Sequence, residues 1–457
     1  MMKGFLGLLL ILSIGCKKQN DPGGVTQPPV IADPDPVQYG TPFANVVDRR
    51  DAIIYQVNMR VFSPQGNFAG VIKRLDSIKA LGANVVYLMP VYPVGTLNAV
   101  NSPYAVKDYK SVNSEFGTLA DLRSLVDSAH NKDLSVVLDW VANHTSWDND
   151  WISSHPSWYL QQGGSIVSPP GTGWNDVAQL NFANPEMRIA MIRAMKYWVL
   201  AANIDGFRFD YADGPPVDFW KQAIDSLRKI TTHKLLLLAE GSRSENYSAG
   251  FDFNFGFGFF GNLKNIYNAN VSVLTIDDLN SVEYQNASDG QQVVRYISNH
   301  DVNGADGTPL ELFGGKTGSM AAFTIITYMK SVPMIYNGQE VGTSLRLTFP
   351  FTSTKIDWTN SPDITSEYKK VIAFRKKSNA VTRGNLISYS TADVCSFTKE
   401  FGAEKIAVIV NPRNKIINYT LPPVLDNTSW TDALNGNPIT LTSQLSLQPY
   451  KYMILRN

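Results

Sequence analysis

Three acidic residues close apolar runs of the kind that become buried strands. Asp210 ends Gly206–Asp210, Glu240 follows Leu235–Ala239, and Asp301 lies just after Val293–Ser298. Carboxyl groups brought together can divide a reaction, one ionised as nucleophile and one protonated as acid, because their surroundings push their pKa values apart. Side chains alternate along a strand, so Arg208 and Asp210 face one way while Phe207 and Phe209 face an apolar layer. A guanidinium beside Asp210 favours the ionised form that a nucleophile needs. Glu240, flanked by Leu235–Leu238 and near two other acids, is placed to hold a proton for a leaving oxygen. Asp301 then favours a positively charged transition state. Any one of these acids alone is as readily a cap or a surface carboxylate; their joint placement carries the reading.

The elements that must position them follow one rhythm. From about Asp51 strand and helix patterns alternate for over three hundred residues, which argues for an α/β fold with parallel strands. Apolar strands are predicted at Ala52–Val57, Val85–Met89, Ser135–Leu138, Gly206–Asp210, Leu235–Ala239, Phe251–Phe255, Val293–Ser298 and Val332–Tyr336. Val71, Ile72, Leu75, Ile78 and Leu81 form one helical stripe that stops at Gly82. Thr118 with Asp121 is a capping box, and Asn184-Pro185-Glu186 opens a helix running through Trp198. Eight such strands with helices between them close into a (β/α)8 TIM barrel, whose reactive groups lie at the carboxyl ends of its strands.

The segment from His144 to about Leu180 is too long for a connection and is read as a small inserted domain after strand three. Five of the nine tryptophans (Trp140, Trp147, Trp151, Trp158, Trp174) lie in or beside it. They suit the faces of sugar rings and the core of a small insertion equally well. After about Asn379 short strand patterns replace the helices, giving a C-terminal antiparallel β-sandwich over 379–457, with the barrel over 46–378.

At the other end, Lys3, an apolar run from Gly4 to Ile14, and Gly15-Cys16 read as an export signal over 1–16. Leu12-Ser13-Ile14-Gly15-Cys16 resembles a bacterial lipobox, which makes Cys16 a lipid anchor. Residues 17–45, rich in Pro, Gly, Gln and Asn, read as a tether. Such a protein is exported and held at a bacterial membrane, periplasmic or cell-surface, by its anchor alone. With 40 basic and 40 acidic residues the formal charge is zero, so no basic excess exists for nucleic acid. Two cysteines and five histidines exclude a disulfide framework or a structural zinc site. Cys395 reads as a buried apolar residue. Gly256-Phe257-Gly258-Phe259-Phe260-Gly261 matches a dinucleotide fingerprint by letter, but phenylalanines crowd the loop and it falls late in the barrel.

The motifs, taken together, resemble the α-amylase family of glycoside hydrolases. Asp139-Trp140-Val141-Ala142-Asn143-His144, Gly206-Phe207-Arg208-Phe209-Asp210, Ala239-Glu240-Gly241 and Asn299-His300-Asp301 look like its four signatures. Ser102–Tyr109 and Asn181–Pro185 are similar to two further landmarks, all in the family's order. The resemblance implies retaining chemistry on α-linked glucose, with Asp210 as nucleophile, Glu240 as acid/base and Asp301 as stabiliser. It implies that Tyr104 stacks on the sugar at the cleavage point, with Arg208, His144 and His300 around it. The substrate expected is an α-1,4-glucan or maltooligosaccharide, and a monomer is expected to act on it. An α-glucosidase, an α-1,6-specific enzyme, a transglycosylase, or a glucan-binding lipoprotein without catalysis are the competing readings. Two departures matter. Asp213-Gly214 stands where many members carry a Lys-His pair on the leaving-group side. No cofactor is needed for the chemistry; a calcium ion at Asn143 is implied, yet Gln179 occupies the place of the acid that would share it, and Asp148, Asp150 and Asp176 read as a solvated face.

Overall fold

In the computed structural model, residues 34–457 are described; the export signal, Cys16 and the first part of the tether lie outside them. Eight strands form a closed, wholly parallel barrel in sequential order: β1 Ile54–Val57, β2 Val85–Leu88, β3 Ser135–Val141, β4 Gly206–Asp210, β5 Leu236–Ala239, β6 Phe253–Phe255, β7 Gln292–Tyr296 and β8 Val332–Tyr336. β8 pairs back with β1 through Ile54 and Met334. Strands packed on both faces are largely apolar on both, which is why β2, β5 and β8 read as continuous hydrophobic runs. Among the polar exceptions, Asp139 on β3 is the register partner of Arg208 on β4, and both are buried.

The helices form where capping signals place them. Thr118 and Asp121 make the reciprocal capping box of helix Leu119–His130. Asn184 accepts from the backbone N–H groups of Glu186 and Met187 to start helix Pro185–Ala202. Phe207 and Phe209 pack outward against Trp140, Trp220 and Phe251. The expected single stripe from Val71 to Leu81 is two helices, Phe68–Ile72 and Leu75–Leu81. The break falls at Lys73-Arg74, where the Arg74 guanidinium lies 3.8 Å from the centre of the Trp358 ring; a distant ring, invisible to local periodicity, receives the turn.

After β3 the insertion is built on a two-stranded pairing of His144–Ser146 with Val177–Gln179. Beyond the barrel a six-stranded antiparallel sheet and the pair Ile417–Thr420 with Gln444–Leu447 enclose their own core around Ile409, Tyr419, Leu425 and Leu455. Cys395 lies outside that core, buried with a free thiol among the residues that continue the main hydrophobic cluster. The glycine-rich fingerprint is the start of helix Phe257–Asn268, with Phe259 and Phe260 in the core. The tether, expected to reach residue 45, ends sooner: Tyr39 N–H bonds the Leu200 carbonyl at 2.8 Å, its hydroxyl bonds Asp127 at 2.7 Å, and Phe43 stacks on His130. Tyr and Phe supply the apolar area that the rest of that polar segment lacks.

At the start of β4 the chain allows no side chain. Gly206 has φ +148°, and a Cβ there would lie 1.9 Å from the Leu236 carbonyl oxygen of the adjoining strand. Gly206→Ala is expected to destabilise the fold by about 2–4 kcal/mol, read as a lowered denaturant midpoint. A midpoint equal to wild type would show that β4 and β5 are not packed so closely.

Candidate active site

The carboxyl ends of the strands open into a cavity of about 890 Å³ whose wall carries Asp210, Glu240 and Asp301 together with Tyr104, His144 and His300. Acids far apart in the chain thus share one cleft of the size that holds a small ligand. Each is delivered differently. Asp210 is the last residue of β4. Glu240 follows β5, its backbone held by Glu240 N–H to the Phe209 carbonyl (3.0 Å) and Ala212 N–H to its own carbonyl (2.9 Å). Asp301 lies in the first turn of helix His300–Ala305, where the Asn299 side chain caps the N–H groups of Asp301 and Val302.

Arg208, 1% exposed, lies beneath them. Its Nη1 bonds Asp139 Oδ1 at 2.7 Å and Asp210 Oδ1 at 3.2 Å, while Nη2 pairs with Glu240 Oε1. Asp139, fully buried, also accepts from the hydroxyls of Tyr87 (2.7 Å) and Tyr104 (3.1 Å). The sequence motif contained Asp139 without showing its role: it is the counter-ion that fixes the guanidinium plane. Only the barrel closure, which puts β2, β3 and β4 side by side, could reveal that.

Burial raises the Asp210 pKa well above the usual carboxylate range, the Glu240 charge adds to this, and Arg208 opposes. Glu240 is raised by burial, with Arg208 opposing and Asp301 adding. Asp301 is raised by its enclosure, with Arg208 opposing, but its side chain is 60% exposed, so water stabilises its charge best of the three. The expectation that Arg208 alone keeps Asp210 ionised is therefore corrected for the empty cleft. One guanidinium is divided among three carboxylates, and burial together with the Glu240 charge outweighs the share that reaches Asp210. Asp210 and Glu240 titrate as a unit, and that unit holds a proton at higher pH than free carboxylates would.

The histidines are neutral. Burial pushes His144 down to about 4; burial, with the Arg208 charge adding, does the same to His300. Gln56 Nε2 donates to His300 Nδ1 at 2.8 Å, so the ring carries its proton on Nε2, which faces the Tyr104 hydroxyl at 2.6 Å and Asp301 Oδ1 at 3.3 Å. The Tyr104 hydroxyl accepts that proton's hydrogen bond and gives its own to Asp139. The Tyr104 and His300 rings stack with centroids 5.5 Å apart.

Of the tryptophans left between sugar face and core, Trp174 lines the cavity, while Trp140 and Trp158 are core and Trp147 and Trp151 pack against it; Tyr211, also in the wall, escaped the sequence reading. Trp174 meets Tyr211 edge to face at 5.1 Å, and each is 37% exposed. Tyr211 has φ +43°, a left-handed conformation that costs energy for an aromatic residue, and its backbone N–H bonds Glu240 Oε2 at 2.8 Å. Gly214 makes the placement possible, since a Cβ there would lie 2.5 Å from the Tyr211 ring. The signal available was an aromatic immediately after a strand-end acid.

The calcium expectation meets a different arrangement. Asn143 Nδ2 donates to Gln179 Oε1 at 3.0 Å, and Gln179 Nε2 lies 3.2 Å from Asn143 Oδ1 and 3.0 Å from both the Asn143 and Leu180 carbonyl oxygens. An amide nitrogen stands among the oxygens a cation would need, so these residues do not fit calcium. Among the described residues no three His, Cys, Asp or Glu side chains group as a metal site. Asp148 is not a solvated acid: against burial, the Thr96 N–H, the Ser146 and Thr96 hydroxyls and Lys107 hold it down to about 2.

The alpha-amylase catalytic domain pattern matches residues 33–163 and 172–373. Alpha-amylase 2 of Dictyoglomus thermophilum is 26% identical over 420 residues, covering 86% of this chain and 71% of that protein. A probable oligo-1,6-glucosidase 2 of Bacillus subtilis is 32% identical over 198 residues, 35% of this chain and 34% of that protein. The crystal structure of an alpha-amylase from Lactobacillus plantarum superposes with a TM-score of 0.81 at 27% identity, covering 90% of this chain and 99% of that one. A catalytic-domain match over most of the barrel, on a cleft that gathers the three acids, places the chain in the alpha-amylase family, as a glycoside hydrolase of the α-glucan-acting kind.

Proposed function

We propose that the protein is an exported, retaining hydrolase that cleaves α-1,4-glucosidic bonds in starch-like glucans or maltooligosaccharides. One observation carries the reading: Asp210 and Glu240 bond to the two terminal nitrogens of a single guanidinium, which makes them a close pair. Retaining enzymes need such a pair, about 5 Å apart, because one carboxylate must reach the sugar carbon itself. Asp210 attacks the anomeric carbon while the bond to the leaving oxygen breaks, and Glu240 gives that oxygen its proton. Glu240 then takes a proton from water, whose oxygen attacks the same carbon and frees Asp210. Asp301 accepts from sugar hydroxyls beside the developing charge, and the neutral His300, its Nε2–H held by Tyr104, lines the site without adding positive charge next to an oxocarbenium centre. Tyr104 supplies the ring that supports the sugar.

On the leaving-group side, Trp174 and Tyr211 form an aromatic wall beside Asp213-Gly214, the place where many members of the family carry a Lys-His pair. Apolar ring faces bind the C–H faces of a second glucose and tolerate its linkage better than a charged pair that must meet fixed hydroxyls. The oligo-1,6-glucosidase relative makes α-1,6 bonds the alternative to exclude. The lipobox-like sequence at Cys16 supports export with a lipid anchor.

Asp210→Ala is expected to lower turnover on starch by about 10⁴-fold or more while the circular dichroism spectrum stays that of wild type. Undiminished release of reducing ends would remove Asp210 from the chemistry, and starch binding without any release by wild type would favour a binding protein. Faster cleavage of isomaltose than of maltotriose by wild type would overturn the linkage. Trp174→Ala with Tyr211→Ala is expected to raise KM for maltotriose by about 10-fold or more, two lost stacking contacts of roughly 1 kcal/mol each, with kcat changed less. An unchanged KM would remove the aromatic wall from the binding site. Cys16→Ala is expected to move the protein from the membrane fraction to the soluble fraction; retention in the membrane would exclude the lipid anchor.

A further inference from the structure

The cradle around Asn143 is filled from within. We propose that the Gln179 carboxamide does permanently what a bound cation would do in this fold: it ties the insertion to the barrel and sets the orientation of a cleft histidine. Gln179 is the register partner of His144 in the pairing that carries the insertion, and Leu180 N–H closes the same corner by bonding the Asn143 carbonyl at 3.1 Å. A calcium ion would draw three such oxygens to about 2.3–2.6 Å. Here one nitrogen, with two hydrogens shared among three oxygens at 3.0–3.2 Å, satisfies them without a net charge.

The tie is reciprocal. Gln179 Oε1 accepts from Asn143 Nδ2, and the same Nδ2 lies 3.3 Å from His144 Nδ1. An acceptor at Nδ1 leaves the proton of the neutral ring on Nε2. His144 lines the cleft, so the amide pair sets which of its nitrogens is the donor. The two amides that make the tie, Asn143 and Gln179, carry no charge in any protonation state. The anchor and the orientation it gives are therefore independent of cation supply. Substituting a carboxylate reverses this: oxygens then face oxygens, and only an added cation can reconcile them.

The test compares melting temperatures of wild type, Gln179→Asp and Gln179→Glu in EDTA and in calcium chloride. Asp shortens the side chain and leaves room for an ion; Glu keeps the length, in case the shorter side chain does not fold. Wild type is expected to melt within about 1 °C of the same temperature in both buffers. At least one carboxylate variant is expected to melt roughly 5 °C lower in EDTA and to regain most of that loss in about 5 mM calcium, a level above the dissociation constants of weak extracellular sites. A wild type that loses stability in EDTA and regains it with calcium would overturn the proposal. So would two carboxylate variants that ignore calcium, since the amide would then not stand at a cation's position.

Discussion

One buried guanidinium facing three carboxylates is the constraint around which the cleft is organised. Arg208 can sit there only because Asp139 neutralises it from the neighbouring strand, and Asp139 can be fully buried only because two tyrosine hydroxyls and the guanidinium satisfy it. Removing either member of such a pair leaves an unpaired charge in a low-dielectric interior, at a cost of about 3–5 kcal/mol. The other contacts of its terminal nitrogens go to Asp210 and Glu240, the two acids proposed to carry the chemistry. A charge shared among Asp139, Asp210 and Glu240 holds the last two close and leaves them short of positive charge. That shortage leaves the carboxyl pKa values of both raised, the direction that the proposed acid role of Glu240 needs.

From this centre the order spreads by hydrogen bonds that fix proton positions as well as atoms. Asp139 receives the Tyr104 hydroxyl, Tyr104 receives the His300 Nε2 proton, and Gln56 on β1 closes the chain at Nδ1. A residue on the first strand thus decides where a residue after the seventh directs its donor. In water such a relay would be scrambled; behind a barrel wall each polar atom has few partners and one arrangement prevails. The parallel barrel supplies the wall because its strands are buried on both faces and place their polar ends on one side only.

What the sequence disclosed follows the range of the interactions. All eight strands were readable because burial on both faces writes itself into consecutive residues, and Thr118 and Asn184 announced their helices because a cap lies within three residues of what it caps. The three acids and their histidines stood at strand ends that the barrel rule brings to one side. Contacts between distant segments were not readable. Trp358 drawing the turn at Lys73-Arg74, Tyr39 binding the helix that contains Asp127, and Thr96 and Lys107 converting Asp148 from a surface acid into a loop tie each depend on a partner dozens or hundreds of residues away. The Asp210 charge state failed for the same reason. The adjacent Arg208 was visible, while its other commitments, to Asp139 and Glu240, existed only in three dimensions.

The stretch from Asp210 to Gly214 shows how closely chemistry and recognition are bound in this cleft. Its first residue is the acid at the end of β4, and its second gives a backbone N–H to Glu240 Oε2 while its ring faces Trp174. Asp213 accepts from the Ser242 N–H at 2.8 Å and from Asn246 Nδ2 at 3.1 Å, which fixes the loop that follows Glu240. Gly214 leaves the space that the Tyr211 ring fills, and the same missing Cβ would have met Asn143 Oδ1 at 2.8 Å. Five residues therefore join Asp210 and Glu240 to the aromatic wall and to the amide anchor of the insertion. The left-handed backbone at Tyr211 is the strained point of this arrangement, and strain of that kind persists only where surrounding contacts over-determine it. A side chain at 214 would have needed space that the ring occupies. The small residue at 214 thus lets the chain turn an aromatic side chain into the wall of the cavity.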